Sequence, residues 1–207
     1  MAASEKIKKL KETAVNRSHQ RAEMKRELAV HAIQSLAQLG YARTSLRDIA
    51  SQAGRSVGAI SYYFEDKIDL ISYCVRLYKE DFVTRTNEIF AQATDPETIV
   101  DGFTELFVQS VSDDAETHRL WYDIRSQALF DEGFHSVVFE IEAALIEMIG
   151  RLMESLGLPV EKKTDAYYLL DSCFRVHLQK KLAGHPDVDA SFRTELHRIL
   201  EFLRVSA

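Results

Sequence analysis

Residues 44–70, TSLRDIASQAGRSVGAISYYFEDKIDL, constrain the fold more than any other stretch of the chain. Ser45 with Asp48 three residues on is a capping-box-like helix start. Leu46, Ile49 and Ala50 then fall on one face of a short helix. Gly54 stops it, because glycine takes a left-handed turn without steric penalty. Ser56 can cap a second helix through Val57–Tyr62 that turns Ile60 inward. Phe64 and Leu70 are placed to fill the gap between this pair and a third helix starting near Asp66. The pattern predicts a helix-turn-helix running straight into another helix.

The polar residues of this stretch decide what such a unit is for. Arg47, Arg55 and Lys67 can reach phosphates, as can the hydroxyls of Thr44, Tyr62 and Tyr63. Gly58 and Ala59 keep the second helix thin, so its backbone can approach a major groove. A helical corner with a solvated basic edge is the other reading of the same residues.

The spacing Thr44-x3-Asp48-Ile49-Ala50-x2-Ala53-Gly54-x-Ser56-x-Gly58-x-Ile60-x2-Tyr63-Phe64-x2-Lys67-x2-Leu70 closely resembles the amino-terminal domain of the TetR family of bacterial transcriptional repressors. The resemblance is strong over residues 22–70 and rests on helix layout elsewhere. The run Ile60–Lys67 looks most like the branch containing the betaine-biosynthesis repressor. Two positions depart from the family pattern. Arg55 follows the turn glycine where a small apolar residue is usual, and Ser61 stands where a phosphate-binding tyrosine is usual. The resemblance implies DNA contacts by Thr44, Ser45, Arg47, Arg55, Ser56, Val57, Gly58, Ser61, Tyr62, Tyr63 and Lys67, with Tyr62 and Tyr63 taking over from Ser61.

The net charge of -6 conceals an asymmetry. Residues 1–67 hold 12 Lys and Arg against 7 Asp and Glu, a balance of +5, while residues 68–207 hold 14 against 25, a balance of -11. A DNA-facing head on an acidic body follows from that division. The domains expected are a basic arm at 1–20, a helix-turn-helix domain at 21–68 and a ligand-binding and dimerisation body at 69–207. Lys6, Lys8, Lys9, Lys11, Arg17 and Arg21 would give the arm phosphate or minor-groove contacts.

The rest of the chain reads as helix. Apolar stripes, caps and Gly/Pro breaks place helices at about 21–39, 66–91, 96–112, 116–130, 134–156, 161–183 and 190–204. With the two short ones this gives about nine helices, all-α, and no convincing strand. No apolar run is long enough to span a bilayer, so no membrane partner is expected. Cys74 and Cys173 are far apart, which fits free thiols in a reducing cytoplasm. No phosphate loop, metal-ligand spacing or catalytic triad is present in the pattern, so no metal, no cofactor and no enzyme activity is expected.

The body needs a purpose of its own. In the resembled family the last two helices pair with those of a second subunit, which assigns Tyr167, Leu170, Leu178, Phe192, Leu196, Ile199 and Leu203 to a dimer interface. The family houses a small-molecule effector between its body helices. Phe103, Phe107, Trp121, Arg125, Tyr168, Phe174 and His177 are the residues expected to hold it here. Trp121 and Arg125 share a helix face. A buried arginine needs a partner, either the ligand's anion, water or a protein carboxylate, and Asp171 is the nearest by layout. An aromatic cage for a quaternary ammonium is the alternative. The function implied is a cytoplasmic homodimeric repressor, released from a palindromic operator by a small organic effector. A ligand-independent DNA binder and an all-helical enzyme on the same head fold are the rivals.

Overall fold

The computed structural model describes residues 2–205, with side chains described from Asn16 onward. Nine α-helices account for nearly all of the described residues: α1 Ala2–Leu39, α2 Leu46–Gln52, α3 Val57–Tyr63, α4 Lys67–Gln92, α5 Pro96–Ser112, α6 Ala115–Gln127, α7 His135–Ser155, α8 Lys163–Leu182 and α9 Val188–Val205. Short 3₁₀ turns precede α7 and α8. The chain divides into two compact units, Met1–Leu77 and Tyr78–Ala207.

The first unit is built by caps and one small core. Ser45 Oγ accepts from the Asp48 amide at 3.2 Å, and Asp48 Oδ2 accepts from the Ser45 amide at 2.8 Å, closing the expected capping box of α2. Its hydrogen bonds with Ser45 hold the Asp48 carboxyl below the usual carboxylate range. Gly54 turns the chain at φ +60°, and Ser56 Oγ accepts from the Ala59 amide at 3.1 Å to start α3. Helices of seven residues have too few internal bonds to hold themselves. Burial does that here: Ile49, Ile60, Phe64 and Leu70 sit with Leu28, Ala32 and Leu36 of α1 in a closed core.

α1 differs from the expected 21–39 segment. Its helical backbone begins at Ala2, so the stretch read as an arm continues the same helix. The arm lysines Lys6, Lys8, Lys9 and Lys11 lie outside the residues whose side chains are described.

In the second unit, α8 packs against α5, α6, α7 and α9. Asp95 caps α5, with Pro96 in the first turn, where its missing N–H costs nothing. Gly102 lets α5 approach α4 closely: a Cβ there would stand 2.6 Å from Ile89 Cγ2. The Trp121, Phe103, Phe134 and Phe192 side chains are fully buried. α6 stops at Gln127 rather than 130, and Phe130 is left 88% exposed.

The capping box gives a direct test of the head. Ser45→Ala removes the side-chain half of the box, the Oγ that accepts from the Asp48 amide, and should cost about 1 kcal/mol, read as a lower midpoint in urea unfolding followed by far-ultraviolet circular dichroism. An unchanged midpoint would mean that α2 is held by its buried face alone.

Candidate functional site

The outer face of the first unit gathers most of the residues expected to meet DNA. Arg47, Arg55, Ser56, Val57, Gly58, Ser61 and Tyr62 are all exposed, and Tyr63 is half-buried. Gly58 has no packing reason to be glycine, since a Cβ there would meet only Ser56 Oγ, at 3.9 Å. Arg55 forms an exposed ion pair with Glu27 at 3.2 Å, a contact too weakly held to keep it from a phosphate or base.

Three side chains are more committed than expected. The Thr44 hydroxyl is buried and donates to the Gly40 carbonyl at 2.7 Å, so it is spent on the turn rather than offered to a phosphate. Ser45 and Ser56 hydroxyls serve as helix caps. The Lys67 ammonium donates to the Tyr41 carbonyl at 2.8 Å and lies 4.0 Å from the centre of the Tyr41 ring, which fixes its position. The sequence reading missed one arrangement: Arg21 lies over Tyr62 and Tyr63, at 5.4 and 5.9 Å from their ring centres. It links the α1 surface to the α3 tyrosines in one basic and aromatic patch.

The second unit holds a narrow chamber. About 30 Å³ is open to the centre of a water-sized sphere, room for roughly two waters in this conformation. Phe82, Phe107 and Phe174 form an aromatic wall, with Leu145, Met148 and Ile149 opposite from α7. The rings of Phe107 and Phe174 meet edge to face at 5.6 Å. The polar groups of the lining are Lys79, His118, Tyr122, Tyr167 and Asp171.

Of the residues expected to bind an effector, Phe107 and Phe174 line this chamber. Phe103 lies behind Phe107, ring centres 4.1 Å apart. Trp121 is fully buried, and among the described residues its indole N–H has no partner. The other three stand elsewhere. Tyr168 is 52% exposed on the opposite face of α8. His177 stacks on Phe192, and its Nδ1 lies 2.9 Å from the Cys173 carbonyl. Arg125 is taken by protein carboxylates: Nη1 donates to Asp171 Oδ2 at 2.8 Å and Nη2 lies 2.8 Å from Glu142 Oε1. Burial works against its charge, yet Asp171 and Glu142 hold its ionisation range above the usual one. Of the partners open to Arg125, the protein carboxylates are the ones realised. The Tyr122 hydroxyl donates to the other Asp171 oxygen at 2.9 Å, which completes that carboxylate.

The residue that the sequence reading passed over is Lys79. It is 6% exposed, and its ammonium lies 5.2, 5.3 and 5.4 Å from the ring centres of Tyr78, Phe82 and Trp121. Burial brings its ionisation down to about 7, partly opposed by the charge of Asp171. His118, fully enclosed, is held well below the usual imidazole range by burial and then by the Lys79 charge. A signal existed: Lys79 falls four residues after Val75 and three before Phe82, on the apolar stripe of α4.

The expected interface residues also turn inward. Tyr167, Leu170, Leu178, Phe192 and Leu196 are buried in the chain's own core, Ile199 is buried yet lines the outer groove of α8 and α9, and Leu203 is half-buried. The outer face of α8 and α9 instead presents Leu169, Ser172, Cys173, Val176, Thr194 and Arg198 along a shallow groove.

Residues 30–74 match the family model described as bacterial regulatory proteins, tetR family. No curated protein matches the chain by sequence. Solved structures share its fold. A TetR transcription regulator from Haloarcula marismortui superposes with a TM-score of 0.73 at 17% identity, over 88% of this chain and 98% of that one. A putative transcriptional regulator from Saccharomonospora viridis, in complex with choline, gives 0.73 at 16%, over 87% and 96%. The multidrug binding protein EbrR, complexed with imidazole, gives 0.63 at 22%, over 84% and 93%. A helix-turn-helix unit followed by a helical body is the architecture shared with them. Residues 30–74 thus resemble the tetR family of regulatory proteins, and the chain shares its fold with a solved TetR transcription regulator. The match is to the family at large and does not reach the betaine-repressor branch. Among the described residues no cluster of side chains could hold a metal ion, and no helix is long and apolar enough to cross a membrane.

Lys79 makes folding stability depend on pH. Its folded ionisation near 7 lies below the ordinary 10.5, so between those values the unfolded chain carries the extra proton. Raising pH through that window should therefore stabilise the fold, by up to about 1.4 kcal/mol per pH unit. Lys79→Met should be at least as stable as the parent at neutral pH, since it removes a buried charge without a carboxylate contact, and should flatten the slope. Urea melts of both proteins from pH 7 to 9 measure this. A destabilised, equally pH-dependent variant would show that Lys79 does not titrate in the fold.

Proposed function

We propose that the chain is a cytoplasmic, homodimeric repressor that reads a palindromic operator with α3 and releases it when a small organic molecule occupies the body chamber. The observation that supports DNA reading most is the exposed run from Arg55 to Tyr62 around a Gly58 that internal packing does not require. In this reading Arg47, Tyr62, Tyr63 and Lys67 position the head on phosphates. Arg55, Val57 and Gly58 meet base edges. Thr44, Ser45 and Ser56 act by shaping the turn and caps, and Ser61 borders the groove. The functional division is then a basic extension at 1–20, the reading domain at 21–68 and the body at 69–207.

For the dimer, the burial of most of those apolar residues moves the proposed contact to the outer faces of α8 and α9. Leu169 and Val176 on that face are apolar and exposed. A twofold pairing there would set two heads on two half-sites. For the effector, choline and imidazole in the two fold relatives support a small organic molecule in the body. Phe107 and Phe174 are retained as its walls, Phe103 and Trp121 as the layer behind them, and Arg125, Tyr168 and His177 leave the set. α4 carries Lys67 at its start and Lys79 at the chamber. An effector that binds one conformation of that helix better would shift the reading state, by a few kcal/mol in systems of this kind.

Selection of bound fragments from genomic DNA should yield an inverted repeat. Lys67→Ala should weaken all sequences alike and lower the salt slope by about one unit per head. Gly58→Ala should leave the fold intact, gaining about 0.5–1 kcal/mol of helix stability, and yet weaken the selected site. An unaltered affinity in Gly58→Ala would remove α3 from the groove. Val176→Asp should turn a dimer into a monomer in sedimentation; a dimer that survives it would place the interface elsewhere.

A further inference from the structure

We infer that the effector chamber is a site for a small organic monocarboxylate, with Lys79 as its counter-charge. The inference rests on the regulator reading above and specifies what that chamber takes.

The argument is one of unmet hydrogen bonding. Among the described residues Lys79 has aromatic faces and no acceptor within hydrogen-bond reach. Among the described residues the Tyr167 hydroxyl and His118 Nδ1 are fully buried without a partner. All three residues line the same cavity. An ammonium is a donor only, a phenol has an O–H to give, and a neutral imidazole gives an N–H at Nδ1 in one of its two tautomers. The chamber therefore offers convergent donors and asks for an acceptor.

The charges set the sign and size of that acceptor. Both Asp171 oxygens are already taken, by Tyr122 and Arg125, and Glu142 is engaged by the same guanidinium. Arg125 with its two carboxylates carries one excess negative charge, which offsets Lys79 at longer range but gives it no contact. A cationic guest would face an ammonium in a dry cavity. A dianion would exceed the single positive group available. One carboxylate against one ammonium fits, with its carbon skeleton against Phe82, Phe107 and Phe174. With room for about two waters in this conformation, the space favours the smallest acids, and a branched or single-ring acid requires the walls to move apart.

Binding would draw on the protonated form of Lys79. The groups around it are Tyr78 on its own helix, His118 and Tyr122 on α6, and Tyr167 and Asp171 on α8, with the Arg125 charge acting from further off. Burial keeps the three tyrosines above their usual range and His118 below its own. Lys79, at about 7, is thus the group poised to change charge near neutrality.

The test is calorimetric titration of the full-length protein with acetate, isobutyrate and benzoate. Their amides and tetramethylammonium are the controls, and Trp121 fluorescence is the second readout. At least one carboxylate should bind more tightly than its amide, with affinity falling as pH rises above 7. Lys79→Met should weaken it about 10- to 100-fold, and Tyr167→Phe by less. Should Lys79→Met fail to fold, the pH dependence of the unmodified protein decides. Amides or tetramethylammonium binding as tightly as the acids, undiminished binding by Lys79→Met, pH-independent affinity, or no response to any acid would each overturn the inference. Operator binding by the same preparation, measured in parallel, shows separately whether the regulator reading stands.

Discussion

One guanidinium shared between two carboxylates organises the body of this protein. Arg125 on α6 holds Asp171 on α8 and Glu142 on α7 at the same distance, 2.8 Å, so three helices are tied at one point. A half-buried arginine has to be neutralised where it stands, because an unpaired charge removed from water is costly. Once Asp171 is committed to it, and its second oxygen to Tyr122, no carboxylate is left to reach the neighbouring lysine. The polar character of the chamber follows from that prior commitment.

The head rests on a different constraint. α2 and α3 are too short to persist alone, and each begins with a serine that accepts an amide of its own first turn. The caps fix where each helix starts, and Ile49, Ile60 and Phe64 fix which face turns inward. With those faces spent, what remains outward is a thin, polar and aromatic surface. Thr44 shows how one hydroxyl is diverted: buried at the turn, it meets the Gly40 carbonyl before any outside group can reach it.

α8 carries apolar residues on more than one side, and that is where a linear reading loses direction. Tyr167, Leu170, Phe174 and Leu178 recur at helical spacing, and so do Leu169 and Val176, with Tyr168 two turns before Val176. Periodicity shows that two stripes exist. It does not say which faces the chain's own core, because that depends on where α5, α6, α7 and α9 come to lie. In the structure they cover the first stripe and leave the second outside.

The sequence by itself determined the local features: the capping box at Ser45–Asp48, the glycine turn at Gly54, the Pro96 helix start and the all-helical plan. Each depends on residues within one or two turns, so linear spacing carries the information. The Arg125–Asp171 pair was legible as one of several options for the same reason, since a helical face and a nearby carboxylate were in view. Lys79 was not, because a lysine on an apolar stripe reads as one whose stem lies along the surface with its charge in water. Only the tertiary structure brings α4, α5, α6, α7 and α8 around one cavity and shows that its ammonium stays inside it. Whether a charge is solvated, paired or left over is set by groups distant in sequence, and packing alone decides which of them arrive.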